Sequence, residues 1–458
     1  MSKYIVLKFG GSSQCKTGLQ LMARKIEEYK LQGYTVIIVV SAIGKTTNHL
    51  YSITKYCNTS YTEVYKTHKK MCNDLNIDFS KIEILLEQLM TDINDLKYSH
   101  FKDIAQQKIK IISMGEILSS TIAYIFLKSV IHVDYLNAHL FIKNTNNSND
   151  IDKHTLVSKG LFYCDTNIMN LVSSYDAYIT QGFISTTYDD NYCIMTRSGS
   201  NTTASLIANT IDADRVEIYT DVYGLYSGNP KTITNAKLIE NITYDVCLEA
   251  SSMGANLIHP FSIKPCQDKN IPIYIKSTFE PDKQGTIISN NFSHESNSEK
   301  IYLISVQNNI SIFTIYSIDM SDGFGFMADI FEVFRDQKID VNIVITSQFE
   351  ITTTTNEIST EKLRKLESIL SNNYNVSVKD NCSIVSIVAE NTIHNSKIDA
   401  CKKHILENEI YPIWISAPSS NRLTWSYVVP TILASKLENI LHTNLIEKNE
   451  DIQDLADA

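Results

Sequence analysis

The chain has 458 residues, 43% hydrophobic and 20% charged, and its acids outnumber its bases 51 to 41 for a net charge of −10. That length holds two or three buried cores, and the acidic balance argues against a nucleic-acid or membrane-surface partner. No signal peptide is expected, because Lys8 interrupts the apolar run 4–7, and no stretch reaches the ~20 apolar residues of a membrane span. Nine scattered cysteines without Cys-x-x-Cys spacing predict reduced thiols in a cytoplasmic protein with no structural metal site. Glycine is scarce: 15 residues, about half of the ~7% average usage. Each remaining glycine is expected to hold a backbone position closed to other residues. The abundance of Asn, Ile, Lys, Ser and Tyr has the look of AT-rich genome drift, so an unexpected Asn can be drift.

Over the first ~290 residues short apolar runs alternate with helical patterns. Residues 5–7 predict a strand, a glycine turn follows, and 19–32 predict a helix. The β-branched run 36–40 predicts a strand buried on both faces. Further strands are expected at 176–180, 215–220 and 273–275, and a polar helical region over 55–107. This alternation predicts a mostly parallel α/β sheet with helices on both sides. Residues 289–300 have linker composition.

Beyond 300 the pattern changes. Strand 310–318, helix 324–335, strands 341–346 and 350–354, helix 360–371 and strand 375–378 spell β-α-β-β-α-β. The order recurs in strand 382–389, helix 395–407, strands 410–416 and 423–429, and helix 430–442. The second copy lacks a sixth strand, and 301–306 is a spare one. Two interleaved modules are expected, 301–380 and 381–446, the second completed by strand 301–306, after a first domain over 1–290.

Several motifs could carry chemistry. KFGGSS, with Lys8, Gly10, Gly11 and Ser12, lies between a strand and a helix. A Gly-Gly turn admits an anion to backbone amides, and the helix start adds positive potential. A tight turn with no ligand is the bland alternative. SAIGKTTN, with Ser41 and Thr47, follows the next strand, where open α/β sheets bind ligands. Its bland alternative is a helix cap. SMGE, ending in Glu116, is expected to begin a helix. TQGF, ending in Phe183, closes a strand. TRSGSN combines Arg197, Ser200 and Asn201 ahead of a helix, and TDVYGLY follows one more strand. Each is weak alone; together, six such turns at strand ends would converge on one edge of the sheet.

The order of KFGGSS, SAIGKTTN, SMGE, TQGF, TRSGSN, TDVYGLY and MGANLIHP resembles the aspartate kinases of the amino-acid kinase family. The tail segments SIDMSDGFGFMADIF and ISAPSSNRLTWSYV resemble the paired ACT modules of the lysine-sensitive bacterial members, and the closing LHTNLIE fits too. The resemblance implies an amino-acid kinase fold followed by two βαββαβ ACT modules. It implies transfer of the γ-phosphoryl group of ATP, with Mg²⁺, to the side-chain carboxylate of L-aspartate, the first step toward lysine, threonine and methionine. By the same resemblance Lys8, Gly10, Gly11 and Ser12 would serve the phosphates. Ser41, Thr47, Glu116, Phe183, Arg197, Ser200 and Asn201 would line the substrate site. Thr220, Asp221, Tyr226, Lys231 and Asn256 would meet the nucleotide. Met320, Phe324, Asn342, Thr346, Ser347 and Gln348 would form an effector pocket for lysine or threonine, in a homodimer or dimer of dimers.

Several positions depart from the family pattern. Asn201 replaces an Asp that helps to hold the substrate ammonium. Ser198 replaces a Gly, Asn229 an Asp, Lys231 an Arg and Asn256 a Lys. Asn137 and His139 stand where an Asp and an Arg are usual. Three explanations stay open: drift with weakened activity, a changed carboxylate substrate without a free ammonium, or a degenerate kinase acting as an amino-acid-binding regulator. An ATP-grasp ligase or a dinucleotide enzyme is the outside alternative, but neither Gly-x-Gly-x-x-Gly nor Gly-x-x-x-x-Gly-Lys-Ser/Thr is present.

Overall fold

A computed structural model describes residues 3–56, 61–98, 104–147, 151, 156, 160–172, 174–196, 198–255, 258–290, 292, 299–317, 325–416 and 423–448. The chain divides into two compact units. The first comprises Met1–Leu225, Leu238–Ser251 and Asn256–Ser293; the second comprises Tyr226–Lys237, Ser252–Ala255 and His294–Ala458.

The first unit is built on an eight-stranded sheet. Its centre is four parallel strands: β1 (Lys3–Phe9), β2 (Tyr34–Val40), β3 (Ala177–Gln181) and β4 (Arg215–Thr220). A fifth, β5 (Ile273–Ser277), runs parallel beside β4. Residues 36–40 are fully buried, because helices cover both faces and alternation has no polar side to serve. Each such apolar side chain contributes roughly 1.5–3 kcal/mol on burial. Helix α1 (Lys16–Leu31) follows β1, and a lobe of α2 (Thr46–Tyr56), α3 (Tyr61–Leu75) and α4 (Ser80–Tyr98) leads into α5 (Ile104–Lys128). Helix α6 (Gly199–Thr210) precedes β4.

Two expectations change here. SMGE does not begin a helix: Ser113–Glu116 lie in the middle of α5. Helix α5 is also apolar enough over 18 residues, at mean hydropathy 1.4, to cross a membrane by length and composition. Two thirds of that window is buried inside the protein, and buried Ser113, Glu116, Ser119 and Ser120 interrupt it. It is the central core helix of this unit.

The second unit carries a six-stranded antiparallel sheet. Two long strands, β6 (Ile301–Tyr316) and β7 (Asn375–Ala389), pair along their whole length. The spare strand and strand 310–318 are thus one element, as are 375–378 and 382–389. The polar step Gln307–Asn308–Asn309 hid this, but it is taken up by register shifts, with Asn309 and Asn381 at positive φ. One half of the sheet packs Phe313, Ile315 and Ile351 against Ile330, Phe334, Leu363 and Leu366. The other packs Ile304, Ile387 and Tyr427 against Ile398, Ile405, Leu437 and Leu441. These are the two βαββαβ modules, each with its own core and sharing two strands.

Candidate active site

The carboxyl ends of β1, β2, β3, β4 and β5 fall on one edge, because their registers pair Phe9 with Val40 and Tyr219, Val40 with Gln181, and Thr220 with Ser277. The loops that follow continue the ladder. Gly10 donates its N–H to Tyr219 O at 3.0 Å, Ser41 to Phe9 O at 3.2 Å, Gly182 to Val40 O at 2.9 Å, and Thr278 to Thr220 O at 2.8 Å. Parallel-sheet geometry alone therefore gathers Gly10–Ser12, Ser41–Thr47, Gly182–Phe183 and Thr220–Asp221.

The first of these loops is a cradle. A Cβ on Gly11 would lie 2.9 Å from Ala42 O and 3.1 Å from Gly44 O, so only glycine lets the turn after β1 meet the loop after β2. Gly44 donates to Gly11 O at 2.9 Å, locking the two loops together. Ser13 Oγ bonds Tyr219 O at 3.1 Å and Thr278 Oγ1 at 2.6 Å, while Ser12 faces solvent. Lys8 is 8% exposed and, among the described residues, pairs with no carboxylate. Burial lowers its ammonium to about 8. A buried, unpaired cation beside backbone amides suits a phosphate.

The loop after β2 also holds an acceptor site. Glu116, 3% exposed, receives the Ala42 amide at 3.4 Å and the Thr47 hydroxyl at 3.5 Å, both on Oε1. Its Oε2 is buried and has no partner among the described residues. Burial pushes this carboxyl up to about 8, against the pull of those two hydrogen bonds. Ser119 Oγ, one turn on, donates to Ser41 O at 2.8 Å and fixes α5 against the same loop. Asn201, in the first turn of α6, is 6% exposed, and its Oδ1 also lacks a partner among the described residues. A buried acceptor left unpaired costs about 1–3 kcal/mol, so both oxygens suit a hydrogen-bond donor.

Phe183 at φ 67° and Ser198 at φ 62° hold the left-handed region. Phe183 donates its N–H to Thr203 Oγ1 at 3.1 Å, which docks β3 onto α6. A Cβ on Gly182 would sit 2.4 Å from Ser200 Cβ, so glycine is required for that approach. Asn137 caps the turn at His139, whose ring lies 4.4 Å from that of Tyr192.

Of the predicted residues, Arg197, Asn256, Met320 and Phe324 lie outside the described residues. Tyr226 and Lys231 belong to the second unit, the first partly buried and the second exposed. Asn342, Thr346, Ser347 and Gln348 are exposed around the short edge strand Val344–Thr346. TRSGSN follows the small strand Tyr192–Ile194 of a separate four-stranded sheet, so it is not a turn of the main sheet. Ser13, Thr278 and the Ala42 amide were not singled out from the sequence. Their partners are up to 265 residues away, and only the neighbouring hydroxyl turns hinted at them.

An amino acid kinase family model matches residues 3–277. The chain is 28% identical over 275 residues to a lysine-sensitive aspartokinase 3 of Escherichia coli, covering 59% of this chain and 60% of that one. It is 27% identical over 372 residues to a chloroplastic aspartokinase 2 of Arabidopsis thaliana, covering 76% and 65%. These matches span less than two thirds of either relative. An aspartokinase of Chlamydia pneumoniae is 26% identical over 469 residues, covering 98% and 99%. The fold is shared with E. coli aspartokinase III solved with aspartate and ADP, at TM-score 0.79, 20% identity, and 97% and 100% coverage.

Proposed function

Since the chain belongs to the amino acid kinase family, we propose that it phosphorylates the side-chain carboxylate of L-aspartate with ATP, giving 4-phospho-L-aspartate and ADP. The observation that carries this reading is the buried Oε2 of Glu116, unpartnered among the described residues, an ammonium acceptor held by the loop that locks onto the Lys8 cradle. A carboxylate oxygen attacks the γ-phosphorus, and the bond to the bridging oxygen of ADP breaks. That nucleophile is already ionised at neutral pH, so no general base is needed. Catalysis is positioning and charge neutralisation. In this reading Lys8 meets the phosphates, and the amides of Gly10 and Gly11 cradle them. Glu116 and Asn201 hold the substrate ammonium, with Arg197 for its α-carboxylate. Thr220, Asp221, Tyr226 and Lys231 contact the nucleotide.

In this reading Mg²⁺ arrives with ATP. Among the described residues no three His, Cys, Asp or Glu side chains gather as a metal site. The ion, when bound, screens phosphate charge.

The proposal extends to a cytoplasmic enzyme regulated by an amino acid, lysine or threonine, at the ACT modules. It extends also to a homodimer. The edge strand Val344–Thr346 leaves Val344 and Ile345 about 40% exposed at a sheet edge, which a second sheet would cover. Purified protein with ATP, Mg²⁺, hydroxylamine and a panel of carboxylic acids tests the central claim. Hydroxamate from aspartate supports it, and hydroxamate only from another acid, or from none, refutes it.

A further inference from the structure

The segment Tyr226–Lys237 continues the loop that starts at Thr220, yet its hydrogen bonds bind it to the second regulatory module. It closes on itself: Ser227 N–H donates to Lys237 O at 2.8 Å, and Lys237 N–H donates to Ser227 Oγ at 2.9 Å. Ile304 of β6 donates its N–H to Ser227 O at 2.8 Å. His442, the last residue of the helix Thr431–His442, is fully buried, and its Nε2 lies 2.9 Å from Ser227 Oγ. Its Nδ1 lies 2.8 Å from Glu447 Oε1. The π-helical turn Thr443–Glu447 brings that carboxylate back under the ring, five residues on.

One tautomer satisfies every group. With the proton on Nδ1 facing Glu447, Nε2 accepts from the Ser227 hydroxyl, whose oxygen still accepts from Lys237. The other oxygen of Glu447 accepts from Asn235 Nδ2 at 3.2 Å, so the carboxylate grips the segment a second time. A third hold is Thr232 Oγ1 to the buried Glu438, at 3.4 Å. The ring also packs against Gly228. A buried histidine joined on both nitrogens and aimed at a loop is more than a helix needs for its own stability.

We propose that His442 is a positioning residue for nucleotide binding: it fixes Tyr226–Lys237, and with it Tyr226 and Lys231, through the Ser227 hydroxyl. This rests on the assignment of those two residues as nucleotide contacts. It gives the closing LHTNLIE motif a task. Nucleotide affinity would then depend on the second module, because the segment that bears the contacts is held by that module's helix, strand and π turn.

Ser227→Ala removes the hydroxyl without opening a large hole, and Ser227→Thr keeps it. His442→Gln is the companion variant. Three readouts apply to the full chain: hydrogen exchange of amides 226–237, calorimetric titration with Mg²⁺–ADP, and separate KM values for ATP and aspartate. In Ser227→Ala and His442→Gln, exchange in the segment is expected to quicken and ADP to bind about 5–10-fold more weakly, the scale of one buried hydrogen bond. The KM for ATP rises in step, the KM for aspartate and kcat stay within about two-fold, and Ser227→Thr restores both exchange and affinity. Unchanged exchange, faster exchange with unchanged ADP affinity, or no rescue by threonine would each overturn the proposal. If the unmodified protein makes no aspartyl hydroxamate, the functional reading fails, while ADP affinity still decides the role of His442.

Discussion

The Ala42 amide donates to Glu116 Oε1 at 3.4 Å and so ties the middle of α5 to the loop after β2. Oε2 has no partner among the described residues, and burial holds the Glu116 carboxyl up at about 8. Because its folded pKa lies above the ordinary value of 4.5, the folded chain binds more protons than the unfolded one. The stability Glu116 contributes is full below the unfolded value and is lost as pH climbs through about 8. Glu116→Gln should therefore melt higher than the parent at pH 8, by something on the order of 5 °C, with the gap closing toward pH 5. The same variant should lose about 10–100-fold in kcat/KM for aspartate, the worth of one charge-assisted bond. A variant that melts lower at pH 8 contradicts the burial argument.

Lys8 supplies the second prediction. It is buried, carries no acid partner among the described residues, and lies beside the Gly10–Gly11 turn. Lys8→Met keeps the volume and removes a desolvated charge, so the fold should hold or tighten. Phosphoryl transfer should fall by at least about 10²-fold, as for other lost transition-state charges. Substantial hydroxamate formation in that variant rules Lys8 out of the chemistry.

The two groups together set a pH profile. Lys8 loses its proton near 8, so kcat/KM for ATP should decline above that pH. Glu116 must be ionised to take an ammonium, so kcat/KM for aspartate should rise toward about pH 8. At saturation both limbs flatten, because bound phosphate and bound ammonium each favour the charged form. Profiles sloping the other way would show that these groups do not face the two substrates.

The central parallel strands of the first unit were legible because buried β-branched runs such as 36–40 announce themselves, and the turns after β1, β2, β3 and β4 marked the edge at their carboxyl ends. What stayed hidden depended on distant partners. Glu116 looked like the start of a helix because Gly115 resembles a break, yet Gly115 sits inside α5, packed near Ala42 and Leu50. The join at Gln307–Asn309 looked like a loop because three polar residues interrupt an apolar pattern, while the backbone pairing that carries β6 through belongs to β7. Ser13 and Ser12 are indistinguishable in the sequence. Only Tyr219 and Thr278 reveal that Ser13 is structural, while Ser12 is exposed.

The departures from the family pattern are testable in the same frame. Asn201 presents an amide oxygen unpartnered among the described residues, at a position where the resemblance implies an Asp. Asn201→Asp should lower the KM for aspartate by about 10-fold, since a neutral acceptor becomes a charged one. Unchanged or weaker aspartate binding would mean that the pocket is shaped for a different acid. Ser198, at φ 62°, pays a left-handed penalty of roughly 1–2 kcal/mol that glycine avoids, so Ser198→Gly should raise the melting temperature.

Lysine is expected to be a poor effector. A lysine molecule brings two ammonium groups and one carboxylate, so its pocket needs acidic or carbonyl partners. The resemblance places Asn342 and Gln348 where lysine-sensitive relatives present an Asp and a Glu. Both side chains are exposed here, and the backbone around them is occupied: Asn342 N–H donates to Thr354 O at 2.8 Å, and Ser347 N–H to Glu350 O at 2.8 Å. Thr346 and Ser347 keep their hydroxyls, which suit a less cationic amino acid such as threonine. Two missing charge-assisted partners at ~1.5–3 kcal/mol each should weaken lysine by at least about 10²-fold. The double variant Asn342→Asp, Gln348→Glu changes only exposed side chains and should keep its fold. Calorimetric titration of the full chain should then show lysine binding recovered by about that factor, with threonine affinity little changed. Tight lysine binding by the unmodified protein would refute the assignment of these two positions.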